Sequence, residues 1–142
     1  MSRVKIELPE KFLFSTHIPV RITDINYGGH LGNDTILSIA HEARLQFLNS
    51  LGFDELNIGG ASIIMADAAI MFRSEVFYGD MIKAEVTVGE ISSSGFDLYY
   101  RFSNEKNQKE VARIKTGMVC FDYKERKIIA VPEVFKNKLG LK

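Results

Sequence analysis

The chain has little of several things that would narrow its role at once. In 142 residues there is one cysteine, Cys120, which excludes an internal disulfide and fits a reducing cytoplasm. Neither sign of charge is in excess, with 18 Lys+Arg against 18 Asp+Glu, so no net field draws the protein to nucleic acid or to an anionic membrane. The opening residues, Met1-Ser2-Arg3-Val4-Lys5-Ile6-Glu7, hold no apolar run of the signal-peptide kind. The longest nearly uncharged stretch, 59 to 70, contains Asp67 and falls short of the ~20 apolar residues that a bilayer crossing needs. Repeats, low-complexity tracts and linkers are also missing, and the expectation is one domain over residues 1–142.

Several chemistries are missing in the same way. No Gly-x-Ser-x-Gly elbow, phosphate loop or dinucleotide fingerprint occurs. His41-Glu42-Ala43-Arg44-Leu45 begins like a zinc-binding helix but has leucine where the second histidine belongs. Three histidines and one cysteine argue against a structural zinc site, so no metal and no cofactor is expected.

What is present centres on residues 24–34, Asp24-Ile25-Asn26-Tyr27-Gly28-Gly29-His30-Leu31-Gly32-Asn33-Asp34, and on the apolar helix predicted to follow as far as Leu51. Glycine lets a backbone come close to a ligand, and a helix N-terminus offers free N–H groups at the positive end of its dipole. Together these suit a developing negative charge. The plainer reading is a polar connection with a helix cap, Asn33 or Asp34 accepting from the free amides. Ile36, Ile39, Ala40, Ala43, Phe47 and Leu51 recur at helical spacing, Leu37 and Leu48 widen the stripe, and Gly52 supplies a left-handed stop.

The remainder reads as strands. Residues 12–23 alternate, with Phe14, Ile18 and Val20 on one face and His17 on the wet one; Pro19 marks an edge or a bulge. Residues 62–76 are apolar throughout, as for a central strand covered on both faces, with Asp67 in need of a specific partner. Alternating strands follow around Ile82–Val88, Phe96–Phe102 and Val111–Phe121, separated by turns at Tyr78-Gly79-Asp80 and Ser92-Ser93-Ser94-Gly95. A short extra strand at 127–131, or a continuation of the last long one, and a terminal helix over 133–139 after Pro132, closed by Gly140, complete the pattern. The short turns imply antiparallel neighbours, and a helix so apolar calls for a sheet curled around it, an α+β fold.

Val20-Arg21-Ile22-Thr23-Asp24, Gly29-His30 with Asn33, Glu42-Ala43-Arg44 with Leu51-Gly52, and Tyr78-Gly79-Asp80 before an alternating strand occur in this order. In this the chain resembles the hotdog-fold acyl-CoA thioesterases of the 4-hydroxybenzoyl-CoA thioesterase type, from about Phe14 to Val131. The resemblance implies an antiparallel sheet wrapped around one long central helix, an acyl-CoA substrate, and a homodimer or homotetramer with active sites between subunits. Many members carry an aspartate where this chain has Asn26, and an amide cannot deprotonate water. Asn26 is then a positioner.

Thioester hydrolysis needs a base or nucleophile and donors for the carbonyl oxygen. The donors expected here are the backbone N–H groups of Gly32 and Asn33. Asp24, His30, Glu42 and Asp67 are the candidate bases. A related branch of the fold takes a carboxylate from the central helix, which points to Glu42, with His30 orienting water or shuttling a proton. Glu42 could instead pair with Arg44 or Arg21, His30 could be a loop histidine, and Asp24 could bond turn amides; Asp67 is a further polar candidate at the site or the dimer seam. Arg73, Lys83 and Arg101 are available to coenzyme A phosphates. Two alternatives to hydrolysis remain open: a non-catalytic acyl-CoA binder, and an enoyl-CoA hydratase or dehydratase of the same fold.

Overall fold

The computed structural model describes residues 4–26, 28–29 and 31–140. The chain runs through β1 (Phe14–Pro19), a single 3-10 turn (Ile22–Asp24), α1 (Thr35–Ser50), β2 (Ser62–Phe72), β3 (Met81–Ile91), β4 (Gly95–Asn104), β5 (Glu110–Asp122), β6 (Lys127–Ile128) and α2 (Glu133–Lys138). All pairings are antiparallel, in the order β1-β3-β4-β5-β2, with β6 also on β5. The α+β architecture predicted from sequence is the one observed. Among the described residues no helix is long and apolar enough to cross a membrane.

The alternation of β4 places Phe96, Leu98, Tyr100 and Phe102 in the core, and Ile82, Ala84 and Val86 of β3 continue the same inner face. α1 lies against that face through Ile36, Ile39, Ala40, Ala43, Phe47 and Leu48. Ala40 and Ala43 are fully buried, and their small side chains let the helix axis approach the sheet. Burying a leucine such as Leu98 or Leu48 contributes roughly 2 kcal/mol. Gly52 takes the left-handed conformation (φ 86°) that lets the Phe53 amide turn back to the Leu48 carbonyl, as predicted.

Four sequence expectations change. The strand predicted over 12–23 ends at Pro19, and Ile22–Asp24 wind into the 3-10 turn. Asp34 does not cap α1: it is already helical (φ −71°, ψ −26°) with no side-chain cap bond, and the start is tightened by the Thr35 amide on the Gly32 carbonyl, 3.1 Å. The helix is not enclosed on every side, because Ser38, His41, Glu42 and Asn49 form an exposed polar face. The apolar segment at 62–76 is an edge rather than a central strand, with Ile64–Ala68 exposed. Its composition matches covered faces, but among the described residues nothing covers Ile64–Ala68.

The connection from β2 to β3 also departs from the nearest-neighbour expectation. These two strands sit apart in the sheet, and residues 73–80 cross between them over the loop that precedes α1. The Leu31 amide donates to Val76 O at 2.8 Å and the Val20 amide to Asp80 O at 2.9 Å, so the crossing is pinned along its length. This places the 24–34 loop beside the end of β2.

Candidate active site

The loop before α1 is closed by its own backbone. Asp24 is buried, and its carboxylate reaches back to accept from the Arg21 amide (2.8 Å) and the Arg21 guanidinium (3.2 Å). That contact, and then the charge of Asp24, raises the Arg21 pKa above its ordinary value. Ile25 and Leu31 form an antiparallel bridge, and the Gly32 amide donates to the Asp24 carbonyl at 3.0 Å. Within the loop, Asn26 Oδ1 accepts from the Gly28 amide (2.9 Å) and Asn26 O from the Gly29 amide (3.1 Å). Gly29 has φ 82°, a conformation that favours glycine.

The predicted site residues therefore separate. Gly32 is a correction: its N–H closes the loop and does not face outward, because the bridge turns it onto Asp24. The Asn33 N–H donates to no described residue, and Asn33 is exposed at the entrance to α1. Asn26 is exposed with its carbonyl oxygen holding the turn, so its role in this structure is to shape the loop. His30 lies outside the described residues.

Asn33 lines a cavity of about 320 Å³ whose wall includes Leu31, Ile36, Phe72 and Val76, with Arg73 and Glu75 as its charged members. Glu42 is elsewhere. It lines a second cavity of about 300 Å³ with His17, Arg21, Asp24 and Gln46, on the exposed face of α1. From Thr35 to Glu42 is about two helical turns, roughly 10 Å. Glu42 pairs with neither arginine weighed for it: its Oε2 accepts from Gln46 Nε2 at 2.7 Å, while Arg44 bonds Glu55 and Arg21 bonds Asp24.

Asp67 occupies a third place. It sits just after a bulge in β2, where its Oδ1 accepts from Lys115 Nζ (2.8 Å) and the Gly117 amide (3.0 Å). The Lys115 bond is the main reason its carboxyl is held below the usual value. A side chain at Gly117 would meet Asp67 Oδ1 at 2.6 Å, so that residue leaves room for the carboxylate. The predicted specific partner exists, but Asp67 is exposed on the sheet edge and lines neither of the two cavities beside α1.

Of the arginines considered for phosphate, Arg101 is engaged by Glu85 at 2.9 and 3.1 Å and lies over the Phe12 ring. Arg73 is half-exposed beside Glu110 at 4.0 Å and lines the Asn33 cavity. Among the described residues no group of three or more His, Cys, Asp or Glu side chains could hold a metal ion.

Sequence reasoning missed two things. Arg44, weighed in the sequence only as a partner for Glu42, is buried: its Nε donates to Glu55 Oε2 (3.1 Å) and its Nη1 to Tyr100 Oη (3.1 Å), which lies 2.8 Å from Thr116 Oγ1. Burial pushes the Tyr100 phenol upward, so it is neutral and can donate onward to Thr116 while accepting from Arg44. Glu75 was not singled out at all, because its position beside Asn33 depends on the long-range Leu31–Val76 bond and on no local pattern.

Residues 20–139 match the family model of the thioesterase-like superfamily. The chain belongs to this superfamily. Within it, the chain is similar to a 1,4-dihydroxy-2-naphthoyl-CoA hydrolase of Microcystis aeruginosa, 31% identical over 124 residues, 85% of this chain and 88% of that protein. A crystal structure of a 1,4-dihydroxy-2-naphthoyl-CoA thioesterase from Synechocystis superposes with a TM-score of 0.81 at 25% identity, covering 89% of this chain and 95% of that one. A thioesterase from Thermus thermophilus, complexed with coenzyme A and zinc, shares the fold at a TM-score of 0.79 and 19% identity, covering 91% and 98%. The hotdog thioesterase resemblance read from the motifs thus agrees with the superfamily and with the fold.

Proposed function

We propose that this chain hydrolyses an acyl-CoA thioester to the free acid and coenzyme A. The observation that carries this is the 31% identity to a curated acyl-CoA hydrolase over 85% of the chain. That both relatives named for 1,4-dihydroxy-2-naphthoyl-CoA are hydrolytic favours hydrolysis over a non-catalytic binder or a hydratase. An aromatic acyl-CoA is the first substrate to test.

The Asn33 N–H, at the positive end of α1, is the donor for the carbonyl oxygen as it becomes an oxyanion. His30 orients water or shuttles a proton, and Asn26 keeps the loop in shape. Glu42, the carboxylate predicted from sequence, lines a different cavity from Asn33 and has no part in the site around Asn33 of its own chain. A homodimer is supported by β2, an edge strand with Ile64 and Met65 37% and 46% exposed, since an unpaired apolar edge is an invitation to pair with another strand. The lone cysteine and the balanced charge accord with a cytoplasmic enzyme.

The test is release of free thiol across aromatic, short and long acyl-CoAs, with Glu42→Gln and His30→Ala alongside. Hydrolysis of at least one class is expected. Tight acyl-CoA binding without thiol release, or change at a double bond with the thioester intact, would reject the reading.

A further inference from the structure

We propose that the carboxylate activating water is Glu75, held in the same chain as the oxyanion donor; the inference rests on the hydrolytic reading above. Four observations converge. Glu75 is the one carboxylate among the described residues lining the cavity that also contains Asn33. The backbone fixes it from both sides. The Arg73 and Ser74 amides donate to Val111 O at 2.8 and 3.2 Å, and Ser74 Oγ donates to Glu110 O at 2.7 Å. On the other side, Val76 O accepts from the Leu31 amide at 2.8 Å, which ties the segment to the loop just before Asn33. Glu75 is also exposed to solvent, so water reaches it, while Leu31, Ile36, Phe72 and Val76 supply an apolar wall for the acyl group. Glu42, by contrast, lines another cavity.

In the reaction, a Glu75 carboxylate oxygen takes a proton from water as the water oxygen bonds to the thioester carbon. The carbonyl π electrons move to oxygen, where the Asn33 N–H meets the negative charge. Collapse of this intermediate re-forms the C=O bond and breaks the C–S bond; the proton held by Glu75 passes to the departing sulfur. One water is consumed, and the acid and the coenzyme A thiol are released.

The experiment compares full-length wild type, Glu75→Gln, Glu75→Asp and Glu42→Gln in a thiol-release assay over a pH series, with unfolding midpoints measured for each. Loss of a general base costs about 10²–10⁴-fold. We expect Glu75→Gln to lower kcat by about 100-fold or more with KM little changed, and to abolish the acid limb of the kcat/KM profile. Glu42→Gln is expected to lose at least about tenfold less than Glu75→Gln, since its carboxylate lines a separate cavity of its own chain. Should Glu75→Gln fail to fold, Glu75→Asp carries the test, with a tenfold or greater loss of kcat expected from withdrawing the carboxylate by about one methylene. An active wild type with Glu75→Gln or Glu75→Asp at full rate would overturn the assignment alone, as would a large loss confined to Glu42→Gln. A wild type inert towards every acyl-CoA in the panel would remove the hydrolytic reading and this assignment with it.

Discussion

Arg44 shows how a single residue can look ordinary in sequence and decide packing in three dimensions. It follows His41 and Glu42 on α1, where a surface ion pair is the usual outcome. Yet it turns inward, because Glu55 from the loop after α1 and Tyr100 from the middle of β4 converge on its guanidinium. Removing one member of such a buried group leaves the others without partners, which costs about 3–5 kcal/mol. Arg44→Ala is therefore expected to lose about 3 kcal/mol of unfolding free energy in urea titration, a large share of a domain's ~5–15 kcal/mol. Substituting Arg21, whose guanidinium is exposed, should shift the midpoint far less. Asp67 was legible as a carboxylate in need of a partner and Asp24 as one able to bond turn amides, but which partner each one takes was not. A carboxylate's bonds depend on whichever backbone or lysine the fold brings within about 3 Å.

At the scale of elements, periodicity was a good guide. The alternation in β3, β4 and β5, the stripe on α1 and its stop at Gly52 all follow from local geometry, where side-chain direction repeats every 2 or about 3.6 residues. The Ser92–Gly95 turn illustrates the same point with a consequence. Its Gly95 carbonyl accepts from the Ser92 amide (2.9 Å), and a Cβ placed on Gly95 would lie 2.5 Å from the Met118 carbonyl oxygen of the neighbouring strand. Backbone cannot swing aside as a side chain can. Gly95→Ala is expected to destabilise by roughly 1–3 kcal/mol, read as a lower thermal midpoint, without altering KM. The helix start was less legible. Whether Asp34 caps or Gly32 tightens the first turn depends on how the whole 24–34 loop closes, and that closure requires contacts with residues of β2's exit.

For the molecule as a whole, β2 is an edge strand whose Ile64 and Met65 are exposed among the described residues. Lysine on an edge strand opposes pairing with another chain, because it would bury a charge in the seam. Met65→Lys is expected to convert a dimeric or tetrameric wild type to monomer in sedimentation velocity, while the monomer keeps its fold by circular dichroism. A wild type that sediments as monomer at assay concentrations would reject the proposed assembly.

The antiparallel sheet, the single long helix and the glycine-rich loop before it were determined by the sequence alone, since hydrophobic periods and turn residues act over a few neighbours. Membership of the thioesterase-like superfamily was also legible, through the order of short motifs. The strand order, the edge position of β2, the inward turn of Arg44 and the sharing of one cavity by Asn33 and Glu75 were decided only by the tertiary structure. Each depends on segments more than forty residues apart meeting in space, and no local pattern encodes which of several chemically suitable groups will arrive first.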